Sequence, residues 1–147
     1  MRTIILFTLL LCTATVLGQP KPDKNKAQLF KGTAEQKFED ARILFYFTGK
    51  VETLLDSIAA AHHSEYSVLK EHDDYTEYRY TKVNYPGWVY GNYNVHIGVK
   101  EGENGKAEIT IWHTYYNKTY NITGKTLGQV EDKLLEFYQK CIDKALD

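Results

Sequence analysis

Residues 88–100 alternate. Val89, Gly91, Tyr93, Val95, Ile97 and Val99 fall on one set of positions, and Trp88, Tyr90, Asn92, Asn94, His96 and Lys100 on the other. A period of two puts successive side chains on opposite faces of a strand, so one face meets a core and the other is amphipathic. The words KEGENGKA follow. A two-residue turn at Asn104-Gly105 would set Ile97 against Trp112 and Val99 against Thr110, mixing apolar with polar positions. A three-residue loop, Glu103-Asn104-Gly105 with Gly105 left-handed in a bulge, pairs Val99 with Ile109, Ile97 with Ile111 and Val95 with His113. It also sets Tyr93 beside Tyr115 on the inner face, and His96 with Trp112 and Asn94 with Thr114 on the outer one.

The same period predicts an earlier hairpin. EYSVLKE and YTEYRYTKV flank the polar turn His72-Asp73-Asp74, and Pro86-Gly87 fits the centre of a type II turn before the long strand. Helical spacing appears in three places. Thr33-Ala34-Glu35-Gln36 has capping-box spacing and predicts a helix start, continued by Phe38, Ala41, Leu44 and Phe45. The run RILFYFT is equally β-favouring, so residues 43–47 stay open to helix or strand. Val51, Leu54, Leu55, Ile58 and Ala61 predict an amphipathic helix as far as His62. Thr126-Leu127-Gly128-Gln129 repeats the capping box, and Val130, Leu134, Tyr138, Cys141 and Ala145 form the apolar side of a closing helix. The expected fold is α+β: an N-terminal helix, with a break or a preceding strand at residues 42–48 as the alternative, an antiparallel sheet of four to five strands, and a C-terminal helix packed on one sheet face.

The ends change the picture. Arg2, the apolar residues 4–11 and Gly18 before Gln19 read as a signal peptide over residues 1–18, too short in its apolar run to span a bilayer. Residues 19–32, with Pro20, Pro22 and several lysines, read as a flexible basic leader, and residues 33–147 as one domain. Cys12 leaves with the signal peptide, so Cys141 is the one cysteine retained. It reads as a buried thiol, with a Cys141-linked dimer as the sharper alternative. Removal of Arg2 also leaves 17 basic against 19 acidic residues. That balance gives no electrostatic footprint for nucleic acid.

NKTYNITG carries two sequons, at Asn117 and Asn121. Strict alternation from Ile109 and Ile111 would aim both at the core, where no glycan fits. A phase shift near residues 115–116 is therefore expected, with Tyr116, Tyr120 and Ile122 inward and both asparagines outward as glycosylation sites.

Catalytic chemistry is thinly represented. His62-His63, His72-Asp73-Asp74, His96 and His113 have no zinc spacing, His62 and His63 read as solvated or dipole-favoured caps, and Ser57, Ser64 and Ser67 lie in no nucleophile elbow. No metal, cofactor or enzyme activity is expected. The candidate ligand-binding residues are the outer-face set Trp88, Tyr90, Asn92, Asn94, His96, Trp112 and Thr114. Their aromatic rings offer flat apolar area, and their amides, imidazole and hydroxyl offer directional hydrogen bonds.

A helix set against an antiparallel sheet is similar to the cystatin architecture, which implies inhibition of extracellular proteases; that family's Gln-Val-Val-Ala-Gly loop and Pro-Trp dipeptide are absent. The order helix, four strands, helix, with the words YPGW at residues 85–88 and GKT at 124–126, faintly resembles anti-lipopolysaccharide factors, which implies binding to microbial surfaces. That family's paired cysteines and basic hairpin are missing. The expected function is that of a secreted glycoprotein binding a small amphipathic ligand or an extracellular partner, with inhibitor and innate-defence protein as alternatives.

Overall fold

Neighbouring strands of the sheet pair antiparallel. The computed structural model describes residues 22–31, 41–85, 93–115 and 127–147. Its strands are β1 (Gln28–Lys31), β2 (Ala41–Phe47), β3 (Tyr66–Glu71), β4 (Thr76–Val83), β5 (Tyr93–Glu101) and β6 (Ala107–Tyr115). Helix α1 (Val51–His62) lies between β2 and β3, and α2 (Leu127–Leu146) closes the chain. The sheet runs β1-β2-β6-β5-β4-β3.

The central hairpin has the expected register. Val99 faces Ile109, Ile97 faces Ile111, Val95 faces His113 and Tyr93 faces Tyr115, while His96 meets Trp112 and Asn94 meets Thr114. The loop closes through the Gly102 amide on the Lys106 carbonyl at 2.9 Å. Gly105 is left-handed as expected (φ 68°), and so is Asn104 (φ 61°). Asparagine is among the few residues that adopt this backbone readily.

Three expectations need correction. The run from Ala41 to Phe47 is strand, not the continuation of a helix from Thr33; residues 32–40, with that capping box, lie outside the described residues. In β2, Ala41, Ile43, Phe45 and Phe47 are buried, and Ile43, Phe45 and Phe47 pair with Ile111, Ile109 and Ala107 of β6. The free edge of β6 supplies the partner that a helical reading ignores, and pairing decides between two comparable local preferences. The sheet has six strands rather than four or five, because β1 and β2 add to the four between the helices. The leader reading also fails over its last part. Gln28–Lys31 pairs with β2, and Gln139 of α2 accepts from the Ala27 amide at 2.9 Å and donates to the Asn25 carbonyl at 3.0 Å. Asn25 in turn grips Thr48, donating to its hydroxyl at 2.8 Å and accepting from its amide at 3.1 Å. Hydrogen bonds, which composition does not register, hold this apolar-poor segment.

Both helices lie on the inner sheet face. Leu54, Leu55 and Ile58 of α1 and Val130, Leu134, Tyr138, Cys141 and Ile142 of α2 join Phe45, Val95, Ile97, Ile109 and Ile111 in one core. The Ser57 hydroxyl donates across the helix pair to the Cys141 carbonyl at 2.8 Å. Cys141 is free and 3 % exposed, and burial pushes its thiol up to about 12. A Cys141-linked dimer would require the helices to part. Among the described residues no helix is long and apolar enough to cross a membrane.

Two bulges tune the far strands. Tyr80 pairs with Val95 and Val83 with Tyr93, so β4 carries one extra residue there, with Lys82 left-handed at φ 57°. Three positions apart, Tyr80 and Val83 would face opposite sides of a regular strand; the bulge buries both completely. A second irregularity lies between Val68 and Lys70 in the edge strand β3.

Helix α1 ends in a motif that ordinarily takes glycine. His63 is left-handed (φ 52°, ψ 41°), its amide reaches the Ala60 carbonyl, and the Ser64 amide reaches the Ala59 carbonyl at 3.1 Å. These are the two bonds of a Schellman cap, whose left-handed position costs a β-carbon residue about 1 kcal/mol. His63→Gly is therefore expected to stabilise the protein by roughly 0.5–1 kcal/mol, read as a raised urea midpoint at unchanged slope; a lowered midpoint would contradict the cap.

Candidate functional site

Two polar systems lie on opposite faces of the β5–β6 hairpin, because His113 and His96 fall on opposite phases of the alternation. On the inner face a hydrogen-bonded chain crosses the core. His62 Nε2 lies 2.9 Å from the Tyr138 hydroxyl, that hydroxyl lies 2.6 Å from the Tyr85 hydroxyl, and Tyr85 lies 2.7 Å from His113 Nε2. All four residues are buried. His62, expected as a solvated cap, is thus a core residue, because its position continues the face of Leu54, Leu55 and Ile58.

Proton counting constrains the chain. Its three links draw on two hydroxyl protons, so one histidine must supply an Nε2 proton and the other must accept. His62 Nδ1 has no hydrogen-bond partner. Burial, with a smaller contribution from His63, lowers His62 to about 3. Burial, followed by the fields of His62, His96 and Arg42, lowers His113 to about 3. Burial likewise raises Tyr85 and Tyr138 well above the usual phenol range. Near neutral pH all four are uncharged, an arrangement suited to fixing geometry rather than moving protons to a substrate.

The outer face is built differently. Glu77, on β4, bridges two imidazoles: Oε1 lies 3.2 Å from His72 Nε2 and Oε2 lies 3.1 Å from His96 Nδ1. A carboxylate only accepts, so both facing nitrogens carry protons, and His96 Nε2 lies 2.7 Å from the Thr114 hydroxyl. Each imidazole backs an aromatic ring. His72 stacks on Tyr75 with centroids 4.1 Å apart and planes 12° apart. His96 stacks on Trp112 at 5.3 Å and 11°.

Between the two rings lies Gly98. A β-carbon there would meet Trp112 Cζ3 at 3.2 Å and Tyr75 Cδ2 at 3.4 Å. Glycine in mid-strand gives up cross-strand packing and marks close approach of another group. The result is a surface groove of about 320 Å³, floored by Gly98, walled by Trp112 and Tyr75, and rimmed by Arg42, Asp74, Lys100, Glu108 and Thr110. The Arg42 guanidinium lies 5.9 Å from the Trp112 ring centroid.

Of the sequence-predicted ligand residues, Asn94, His96, Trp112 and Thr114 share this outer face. Trp112 alone among these four lines the groove, while His96, 7 % exposed, stands behind it. Asn94 is half-buried, its Oδ1 shielded without a hydrogen-bond partner. Trp88, Tyr90 and Asn92 lie outside the described residues, as do the sequons at Asn117 and Asn121. Sequence reasoning missed Arg42, Tyr75, Glu77 and Gly98. The signal for Gly98 was available, since a glycine interrupts the outer set of an otherwise regular strand. Among the described residues no cluster of three or more His, Cys, Asp or Glu side chains is placed to hold a metal ion.

Fold and site define an α+β protein with a helix pair on one face of an antiparallel sheet and an aromatic, charged groove on the other. No protein-family model, no curated protein and no solved structure matches the chain.

The inner histidines make stability pH-dependent. Both are near pKa 6.5 when unfolded and near 3 when folded, so below pH 6.5 the unfolded state binds more protons. Their contribution is complete above pH 6.5 and is lost as pH falls toward 3, with a slope of about 1.4 kcal/mol per pH unit for each fully titrating histidine. His62→Gln, which keeps a hydrogen-bonding group for Tyr138, is expected to reduce that slope by about one proton in urea titrations between pH 7 and 4. An unchanged slope would show that His62 does not titrate on unfolding.

Proposed function

We propose that this chain is a secreted glycoprotein that acts by non-covalent binding, taking a small amphipathic ligand or a group on an extracellular partner in the outer-face groove. The observation that carries the reading is the pair of aromatic walls around Gly98. A strand glycine that admits two rings, each backed by an imidazole anchored on Glu77, is a preorganised surface. Preorganisation reduces the entropy lost when a ligand is held. Ligand sites combine apolar area with a few placed polar groups, and the groove has both.

Binding without catalysis is favoured by the state of the reactive groups. A nucleophilic cysteine needs an accessible thiolate, whereas the Cys141 thiol is buried and raised to about 12. The inner histidines are buried with their pKa values lowered. Export is supported by the basic, apolar and small-residue order of residues 1–18, and glycosylation by the two sequons behind it.

The test is native mass spectrometry of the protein secreted from eukaryotic cells, compared with its denatured and deglycosylated masses. A mass excess lost on denaturation supports a small ligand; a bare protein that captures an extracellular macromolecule through the groove supports a partner. In either case Trp112→Ala should abolish binding while costing well under the 3–5 kcal/mol typical of a core aromatic. Loss of the fold would make Trp112 a core residue and remove the groove as the site. A secreted mass unchanged by deglycosylation would exclude use of Asn117 and Asn121.

A further inference from the structure

We propose that the groove takes a neutral saccharide ring, set against the Trp112 edge over the Gly98 floor and hydrogen-bonded through its hydroxyls to the charged rim. This rests on the outer-face binding reading and narrows its ligand. The first ground is charge balance. Arg42 and Lys100 present donors only, Asp74 and Glu108 present acceptors only as carboxylates, and all four line the same groove. A cationic ligand would meet Lys100 and an Arg42 already positioned over Trp112. An anion would meet Asp74 and Glu108. An apolar ligand would desolvate four charges without replacing their hydrogen bonds, a cost no stacking contact repays. A hydroxyl both donates and accepts, so a ring carrying several of them satisfies both halves of the rim.

The second ground is shape. The indole, stacked on His96 and with Arg42 5.9 Å from its centroid, lines the Gly98 floor with its Cζ3–Cη2 edge, an apolar surface for the C–H groups of a pyranose that requires no charge on the ligand. A volume of about 320 Å³ lies at the small end of ligand sites, roughly 300–1,000 Å³. It accommodates one or two sugar rings at an open surface. The walls are held in advance: Trp112 stacks on His96, Tyr75 stacks on His72, and both imidazoles are tied to Glu77.

The experiment uses the secreted, deglycosylated full chain, with Trp112 indole NMR shifts and saturation-transfer difference spectra as readouts. Probes are the methyl glycosides of mannose, galactose and N-acetylglucosamine, chitobiose, tryptamine as an aromatic cation and benzoate as an aromatic anion. At least one neutral glycoside is expected to shift the Trp112 indole saturably, and tryptamine and benzoate are not. Gly98→Val, which fills the floor, and Glu108→Gln, which removes one rim acceptor charge, should each weaken that glycoside roughly tenfold, about 1.4 kcal/mol. The second variant keeps the result interpretable if the first perturbs the strand.

If tryptamine or benzoate binds and every glycoside fails, the saccharide class falls while the outer-face reading stands. If no probe shifts Trp112 and native mass spectrometry shows no bound species or captured partner, both fall. A glycoside that binds equally well to both variants would place its site elsewhere and overturn the proposal. Comparing a glycoprotein before and after enzymatic removal of its N-glycans then separates a free sugar from a protein-borne glycan as the source.

Discussion

Both helices and two parts of the sheet meet at one buried hydrogen-bonded chain. His62 closes α1, Tyr138 sits in the middle of α2, Tyr85 follows β4 and His113 lies in β6. Each link contributes only about 1 kcal/mol net, but breaking one leaves a buried polar group with no water to replace the partner, which costs about 1–3 kcal/mol. The chain therefore acts less as glue than as a condition on geometry. The helix pair can slide along the sheet only by orphaning a phenol or an imidazole. An all-apolar interface would permit small shifts at little cost, whereas this one has one low-energy arrangement.

The inner face is kept clean by local irregularities. Alternation alone cannot bury both Tyr80 and Val83, and the left-handed Lys82 resolves the conflict by adding a residue to β4. Tyr80 then reaches the Leu55 carbonyl of α1 with a hydrogen bond of 2.6 Å. On the opposite phase, Glu77 and Arg79 remain outward, opposite Gly98 and His96. The carboxylate that organises the groove is thus placed by the same parity that carries Tyr78 and Tyr80 inward.

What the sequence disclosed follows from where its signals are local. The central hairpin was legible to the residue because two apolar alternations and one glycine-containing loop admit a single register that keeps polar from apolar positions. Helix α1 was legible from its spacing to His62, and the placing of Cys141 in the apolar stripe of α2 from its periodicity. Strand β2 was not, because RILFYF satisfies helix and strand alike and only the distant edge of β6 decides. Strand β1 was not, because pairing with β2 and the Gln139 and Asn25 hydrogen bonds just before the strand hold the segment, and neither leaves a mark in its composition. The groove was half legible: alternation put His96 and Trp112 on one face, but Tyr75 was assigned to a strand and Arg42 to an unresolved run. Their convergence on Gly98 is a product of sheet order, which brings β2, β6, β5 and β4 side by side.

Groove and core share a backbone, and this makes the site's precision a property of the core. Trp112 stands between Ile111 and His113, and Gly98 between Ile97 and Val99, all four of these neighbours buried. Strand positions are set by the inner side chains, whose packing tolerates little displacement. The outer side chains inherit those positions. Stacking on His96 and His72 then restricts the two rings in the remaining freedom of their own torsions. The histidines so divide by face. Inside, His62 and His113 tie helices to sheet as neutral links; outside, His72 and His96 turn a single carboxylate into support for two aromatic walls. The first pair fixes where the strands lie, and the second fixes what they present to a ligand.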